Sequence, residues 1–183
     1  MEEIIIYFEF NDFYIELIDI EDLDDIVRIY NSNEFFLKSH IGKESITTKW
    51  VCNELDIMKN EGFSSCKVVQ KNSNEIVGLI DFKVDKETYL SLLMIDKSLR
   101  GQGIGMNVYE LFEMYIKSCN SCSLRIDVVT NYDKHVLDFW IKNGFKSIEN
   151  ITLNWNEKVL PAVVMKIDLQ VKEDIISINK LKR

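Results

Sequence analysis

The sequence predicts an α+β fold built on a mixed, largely antiparallel sheet. Short runs rich in β-branched and aromatic residues follow one another closely, which is typical of antiparallel strand pairs. Segments with apolar residues at helical spacing lie between these pairs. One long helix separates the strands predicted at 89–95 and 123–129, and such a crossover places two strands parallel in the same sheet.

Two strands are expected at 4–10 and 13–19, joined by a tight turn at Asn11 and Asp12. An amphipathic helix follows at 19–30, with acidic residues suited to its start.

Residues 31–42 are expected to form a loop with a short helical turn. A second helix at 46–62 ends at Gly62, a typical C-cap residue. Three strands follow, at 64–70, 75–84 and 88–96. The last of these is apolar along its length, which predicts burial on both faces.

The second half begins with a helix after Gly105, whose apolar residues keep helical spacing through Ile116. A strand is expected at 123–129, and a short helix that stops at Gly144 follows it. The final predicted strand covers 162–169.

The 183 residues are 46% hydrophobic, enough for one buried core, since single cores usually contain about 100–200 residues. We expect an N-terminal strand extension at 1–12, a main domain at 13–170 and a tail at 171–183. The extension and the tail are the candidate contacts of a homodimer.

The net charge of −8 argues against nucleic acid and anionic membrane surfaces as partners, because like charges repel. No apolar run approaches the ~18–20 residues of a membrane span. Glu2 and Glu3 stand where a signal peptide carries positive charge. These features predict a cytoplasmic protein without a nucleic-acid or membrane partner.

Cys119 and Cys122 form a C-x-x-C pair, which is found in redox sites and in half of a zinc site. A redox pair usually opens a helix, whereas this one follows a predicted helix end. No second pair completes a zinc tetrad. Reduced thiols and no metal are therefore the favoured interpretation.

Three of the chain's seven glycines, Gly101, Gly103 and Gly105, stand directly before the long helix. The dinucleotide fingerprint G-x-G-x-x-G fails in both registers, and no lysine completes a nucleotide phosphate loop. The pattern that remains is R-x-x-G-x-G, beginning at Arg100. A turn that only needs positive φ is the alternative.

This pattern suits diphosphate binding. The first N–H groups of a helix have no intrahelical partners, and glycines remove the Cβ atoms that would keep a phosphate away from them. Lys97 and Arg100 add positive charge beside the loop.

The segment LLMIDKSLRGQGIG resembles the acetyl-CoA-binding motif of the GCN5-related N-acetyltransferase (GNAT) family, a strand followed by [QR]-x-x-G-x-[GA] and a long helix. The similarity extends to LRIDVV and VLDFWIKNGF and covers about 13–168. It implies the GNAT fold: a mixed, mostly antiparallel sheet with helices on both faces and a parallel strand pair that a bulge splays apart.

The resemblance also implies acetyl-CoA as cosubstrate. The loop would wrap the pyrophosphate, the end of the preceding strand would pair with the pantetheine arm, and the short helix would line the other side. The residues implied are Met94, Ile95, Arg100, Gly101, Gln102, Gly103, Ile104, Gly105, Met106, Asn131, Phe139 and Trp140.

Two positions depart from the family pattern. The tyrosine proposed to protonate the leaving thiolate is replaced by Trp140, whose indole cannot act as an acid at neutral pH. The usual asparagine falls on Asp133, and Asn131 takes its role only if one residue is inserted.

The implied reaction is direct attack by a primary amine on the acetyl thioester, through a tetrahedral oxyanion that a backbone N–H near Met94 or Ile95 would stabilise. The amine must first lose a proton. Asp81 is our candidate base, because it interrupts an apolar strand; the alternative is that Asp81, Lys83 and Asp85 form a solvated face. Glu87 and Tyr89 are weaker candidates.

Several other residues were assigned from their segments. We interpret His40 as a loop residue and His135 as helix surface rather than as catalytic groups. Phe35 and Phe36 lie in a segment that often covers the acceptor pocket in this family, or they belong to the core.

The acceptor is expected to be a small-molecule or peptide amine, and the acidic composition favours a small cationic one. The alternatives are a protein N-terminal or lysine acetyltransferase, and a non-catalytic module that only binds acyl-CoA.

Overall fold

A computed structural model describes residues 6–131, 133–155 and 158–169. Within them, eight strands form one sheet in the order β1-β2-β3-β4-β5-β6-β8-β7. Their bounds are β1 Tyr7–Phe10, β2 Phe13–Leu17, β3 Ser64–Gln70, β4 Glu75–Lys83, β5 Glu87–Ile95, β6 Ser123–Val129, β7 Lys146–Trp155 and β8 Lys158–Asp168. Only β5 and β6 pair in parallel among these strands, which confirms the predicted mixed sheet.

Helices cover both faces of the sheet. They are α1 Leu23–Ser32, α2 Glu34–Phe36, α3 Thr48–Asn60, α4 Ile104–Ser118 and α5 Lys134–Lys142. One core lies between the sheet and α4 with α5, and a second lies between the sheet and α1 to α3. The α+β class and the two-faced helical cover are therefore confirmed.

Local sequence explains where the main helices begin. The Asp19 side chain accepts a hydrogen bond from the backbone of Ile20 and shares a capping box with Asp22, which starts a short 3-10 turn before α1. The Thr47 hydroxyl accepts from the backbone N–H of Trp50 at the start of α3. Gly62 follows α3 with φ of 83°, in the left-handed region that glycine favours.

The segment 31–42 is more helical than predicted. α2 continues into a π-helical turn at Leu37–Ile41, which ends at Gly42 with φ of 78°. Its apolar residues do not keep α-helical spacing over a long window, so the sequence pattern predicts a loop for most of this segment.

The C-terminal part contains one strand more than predicted. β7 is an edge strand with few buried side chains, so the alternation that marks a half-buried strand is weak. β8 begins at Lys158, earlier than the predicted start at 162, because its first residues pair with β7 and not with β6.

Burial on both faces belongs to β4, not to β5 as predicted. Every residue from Ile76 to Phe82 is buried in β4, whereas Ser91–Leu93 of β5 are only half-buried. The apolar side chains of β5 border an open cleft, so their hydrophobicity does not indicate a covered strand.

The predicted N-terminal hairpin is confirmed for its described part. β1 pairs with β2 as the edge of the same sheet, and the Phe8 ring stacks on Tyr115 of α4 with centroids 4.0 Å apart. Residues 1–5 of the expected extension and residues 170–183, which contain the expected tail, lie outside the described residues.

The core beneath α4 supplies the first prediction. Phe112 is fully buried there, so Phe112→Ala should lower the free energy of unfolding by about 3–5 kcal/mol through lost burial and an unfilled cavity. Met114 lies two residues further along the same helix but is 50% exposed. Met114→Ala should change the stability by less than about 0.5 kcal/mol. Urea denaturation measures both, and similar losses for the two variants would contradict the assigned core.

Candidate active site

The glycine-rich loop joins β5 to α4. A 3-10 turn at Lys97–Leu99 leads into Arg100, and Gly101 and Gly103 adopt φ of 84° and 81°. α4 begins at Ile104, and no side chain caps its N-terminus. The first N–H groups of α4 therefore have no intrahelical partners and carry the positive end of the helix dipole.

The C-terminal end of α1 anchors the strand end that enters this loop. The Asn33 amide donates to the backbone oxygen of Ile95 at 3.1 Å, and the Ser32 hydroxyl accepts from the backbone N–H of Lys97 at 3.0 Å. Arg28 forms an ion pair with Asp96, which in turn caps the 3-10 turn by accepting from the Ser98 N–H. These bonds fix the direction in which the chain enters the glycine loop.

β5 and β6 separate before the end of β5. Their parallel pairing ends at Leu90 and Ile126. At the same level the register between β4 and β5 skips Ser91, so β5 contains a bulge. A bulge bends its strand and increases the local twist. This confirms the splayed strand pair that the family resemblance implied.

A cleft of about 830 Å³ occupies the gap and continues to the glycine loop. Most of the predicted cofactor-binding residues line it: Met94, Ile95, Arg100, Gly101, Gly103, Ile104, Gly105, Met106, Phe139 and Trp140. Gln102 and Asn131 are not among the lining residues, whereas Asp133 is. Asp133 therefore occupies the position beside the loop for which Asn131 was proposed.

The backbone of β5 presents alternate residues to the gap. The Asp96 N–H donates to Val77 of β4 at 2.9 Å. Because backbone groups of successive strand residues point to opposite sides, the Met94 N–H also faces β4, and those of Leu93 and Ile95 face the gap. Of the two residues named for the oxyanion, Ile95 therefore has its N–H on the cleft side.

An ion pair spans the mouth of the cleft. Arg100 donates from Nη2 to Oδ2 of Asp133 at 2.6 Å, and Asp133 also caps α5 by accepting from the His135 N–H. The bond from Arg100 holds the pKa of Asp133 below its usual value. The predicted basic residue of the loop is thus present at the cleft, next to an acidic partner that sequence alone did not assign to it.

Asp81 is not a cleft residue. Its side chain lies on the sheet face under α1 and α3, it is 5% exposed, and its Oδ1 has no hydrogen-bond partner among the described residues. Burial raises its pKa to about 7; the hydroxyl of Ser65 opposes this rise, and Glu54 adds to it. The solvated-face interpretation is wrong for Asp81, although Lys83 and Asp85 are exposed.

His40 is buried rather than part of an exposed loop. It lies in the π-helical turn, its ring stacks on Phe36 with centroids 4.4 Å apart, and both residues line the cleft. Burial lowers the pKa of His40 to about 4, and the nearby positive charge of Lys158 also lowers it. Phe35 is 54% exposed, so of the two adjacent phenylalanines Phe36 borders the cleft.

Asp127 is a cleft carboxylate that the sequence analysis did not single out. It follows directly after the last residue of β6 that pairs with β5. The alternation of apolar and polar residues in LRIDVV indicated which face it occupies, but not that β5 would leave it uncovered.

A sequence profile of the acetyltransferase (GNAT) domain matches residues 43–169, which is more than half of the chain. The chain belongs to the GNAT acetyltransferase family. No curated protein sequence matches it closely enough to count as a relative.

Solved structures share this GNAT fold at low sequence identity. A GNAT-family acetyltransferase from Bacillus anthracis superposes with a TM-score of 0.73 at 14% identity, covering 90% of this chain and 99% of that chain. The spermidine N-acetyltransferase of Vibrio cholerae, solved with CoA and spermine, has a TM-score of 0.67 at 13% identity, covering 86% and 96%. The PaiA N-acetyltransferase of Thermoplasma acidophilum, solved with coenzyme A, has a TM-score of 0.61 at 16% identity, covering 86% and 99%.

Within the described residues, no group of three or more His, Cys, Asp or Glu side chains is placed to hold a metal ion. None of the described helices could serve as a membrane span. Cys119 and Cys122 are free and exposed beyond the end of α4, as expected for reduced thiols.

Because the pKa of Asp81 is raised by burial, we expect the free energy of unfolding to depend on pH. Its pKa is about 7 in the folded protein and 3.8 ordinarily, so the stability that the protonated group contributes is complete below pH 3.8 and is lost as the pH rises to about 7. His40 acts in the opposite direction: its pKa falls from 6.5 to about 4, so its contribution is present above pH 6.5 and is lost as the pH falls. The two slopes partly cancel in the wild type.

The test therefore compares the unfolding free energy of each variant with that of the wild type at the same pH. The unfolding free energy of Asp81→Asn, relative to the wild type, should rise between pH 4 and about 7 and then level off. Asp85→Asn removes an exposed carboxylate between β4 and β5 and should show no such trend. Urea denaturation across this pH range measures both, and a constant difference for Asp81→Asn would show that folding does not raise this pKa.

Proposed function

We propose that this GNAT domain binds acetyl-CoA and transfers its acetyl group to a primary amine. The observation that supports this most directly is the connection of two features in one cleft. The uncapped N-terminus of α4 lies at one end, and the separated edges of β5 and β6 form the other. A diphosphate at the first feature would place a thioester in the second.

The residues at the loop fit such a ligand. A Cβ atom on Gly101 or Gly103 would meet nothing within 4 Å, so the space in front of both amides is open. A Cβ atom on Gly105 would point between Ile95 and Phe139, 4.0 Å from each, into the cleft. Glycine at these positions therefore keeps free the room that a pyrophosphate and a pantetheine arm require.

Acetyl-CoA supplies an activated acyl carbon. The amine, once it has released a proton to water, forms a bond to this carbon and gives a tetrahedral oxyanion; the carbon–sulfur bond then breaks as the nitrogen loses a second proton to water, giving an N-acetyl amine and CoA thiolate. The chain contributes backbone donors to this reaction. We assign the stabilisation of negative charge on the acyl oxygen to the gap-facing N–H groups of Leu93 or Ile95, in place of that of Met94.

The reaction also needs groups that accept and donate protons. Asp81 has the proton affinity expected of a base near neutral pH, but because it does not line the cleft it could act on the amine only through intervening groups or water. Trp140, at the usual tyrosine position, cannot protonate the departing sulfur. A thiol with a pKa of ~8.5 can leave as thiolate, so we propose that no side-chain acid is required.

The acceptor class is a proposal as well. A small cationic amine agrees with the net charge of −8 and with the spermidine N-acetyltransferase among the structural neighbours. We also place the protein in the cytoplasm, where acetyl-CoA and reduced thiols coexist.

Gly105→Val tests the cofactor site without straining the backbone, because Gly105 lies within α4 and has no positive φ. The added side chain would enter the cleft, so the dissociation constant for CoA should rise by roughly 10-fold or more, equal to about 1.4 kcal/mol. Asn107→Val introduces the same side chain on the exposed side of the same helix and should leave CoA binding unchanged. Isothermal calorimetry measures both constants; unchanged binding by Gly105→Val would place the cofactor elsewhere.

A turnover assay separates the enzyme from a module that only binds acyl-CoA. Release of free thiol from acetyl-CoA should depend on an added primary amine, tested with small amines and with peptides bearing a free N-terminus or lysine. CoA binding with no turnover on any amine would support the module instead, an alternative that Trp140 at the tyrosine position makes worth testing.

A further inference from the structure

The cleft has a second end, on the sheet face away from the glycine loop. Ile126 and Val128 of β6 pack in the core beneath α4. Because successive strand side chains point to opposite faces, Asp127 projects to the other face, on the side of α1 and α2. A thioester that reached the gap from α4 would therefore meet Asp127 across the separated strands.

Asp127 is held as an oriented carboxylate. Arg125 donates from Nε to Oδ1 at 2.9 Å and from Nη2 to Oδ2 at 3.0 Å, and the Tyr89 hydroxyl donates to Oδ2 at 3.2 Å. The Asp127 side chain is 5% exposed. Two carboxylate oxygens offer about four acceptor positions, so three donors leave capacity for one more. Charge-assisted bonds of this kind hold the carboxylate in one orientation.

Aromatic rings lie on the same side of the cleft. Phe36 packs in the core under α1 to α3, and His40 stacks on it. Lys158 of β8 donates to the backbone oxygens of Lys38 and Ser39, which ties the π-helical turn to the hairpin next to β6. The turn thus spans this face of the gap from α1 to β8.

Few of the described side chains that line this end of the cleft carry a charge. Two carboxylates, Asp127 and Asp133, are among the lining residues that the structure describes, and Asp133 is at the other end, paired with Arg100. His40 is neutral at pH 7 because its pKa is about 4, so it does not repel a cation. Among the described lining residues, one carboxylate lies beside apolar rings at this end, which suits one ammonium group attached to an apolar body rather than a polycation.

We propose that Asp127 accepts a hydrogen bond from the amino group of the acceptor, while Phe36 and His40 contact its apolar substituent. The amine binds as an ammonium ion, releases one proton to water and attacks the thioester as the neutral amine, still hydrogen-bonded to Asp127. The acceptor class is then a primary monoamine with an aromatic or alkyl substituent, and Arg125 and Tyr89 position the carboxylate. This inference rests on the proposed acetyl transfer and narrows the cationic acceptor considered above.

The test uses steady-state acetylation of 2-phenylethylamine and of spermidine by the full chain. The wild type should have the higher kcat/KM for 2-phenylethylamine. Asp127→Asn should raise the KM for 2-phenylethylamine by roughly 10- to 100-fold, the loss expected for a hydrogen bond to a charged group, with the KM for acetyl-CoA unchanged. Asp138→Asn removes an exposed carboxylate of α5 that does not line the cleft, and it should leave both KM values unchanged.

Asp127→Asn leaves Arg125 without its counter-charge, so a folding defect must be separated from lost recognition. The double variant Arg125→Gln with Asp127→Asn removes both charges. Its KM for 2-phenylethylamine should still exceed that of Arg125→Gln, by a smaller factor because Arg125 no longer positions the carboxylate. Thermal melting of each variant, with and without CoA, reports the fold and the cofactor site independently.

Two results would overturn the inference while leaving the acetyltransferase assignment intact. One is an amine KM that does not respond to the loss of Asp127 in a folded, CoA-binding protein. The other is a wild-type preference for spermidine over 2-phenylethylamine. Binding of CoA without acetylation of any amine would instead refute the proposed function, and this inference with it.

Discussion

The separation of β5 from β6 after the Leu90–Ile126 pair is the constraint on which the rest of the site depends. A parallel pair inside an eight-stranded sheet would ordinarily continue, because each unpaired N–H or C=O group that is buried costs free energy. The skipped residue Ser91 bends β5 away and leaves its last residues without a neighbour on one side. The cleft lies in the gap that this separation opens between β5 and β6.

The open strand end is stabilised from the side of α1. Asn33 provides a donor for the backbone oxygen of Ile95, and Arg28 reaches both Asp96 and the backbone oxygen of Ile76. The glycine loop therefore departs from a strand end that is fixed at several points. The positive φ of Gly101 and Gly103 then sets the path of the chain from this fixed strand end to α4.

Two buried titratable side chains of this acidic protein, Asp81 and His40, favour their neutral forms. Burial raises the pKa of Asp81 to about 7 and lowers that of His40 to about 4, so each pKa shifts in the direction that favours the neutral form and avoids an isolated buried charge. The buried Asp127 carboxylate is instead balanced by the positive charge of Arg125, with which it forms an ion pair.

Local patterns were sufficient for most of the elements and for the glycine-rich loop. Helical spacing predicted α1, α3, α4 and α5, and the R-x-x-G-x-G pattern identified the loop at Arg100, because backbone conformation and an uncapped helix start depend on neighbours in the chain. The exposed edge strand β7 lacked such a pattern, so it was missed. The sequence shows that Asp81 interrupts an apolar strand but not which face of the sheet it occupies, so it could not exclude Asp81 as the base.

Which side chains meet across the gap was decided by the assembled sheet. Asp127 gained its place because β5 bends away beside it, and His40 became a buried cleft residue because its turn is held between α1 and β8. These relations join residues far apart in the chain, and no period or motif encodes them. The order of residues in the chain was enough to specify the glycine-rich loop before α4, whereas the side chains on the other face of the cleft were brought together only by packing between distant segments.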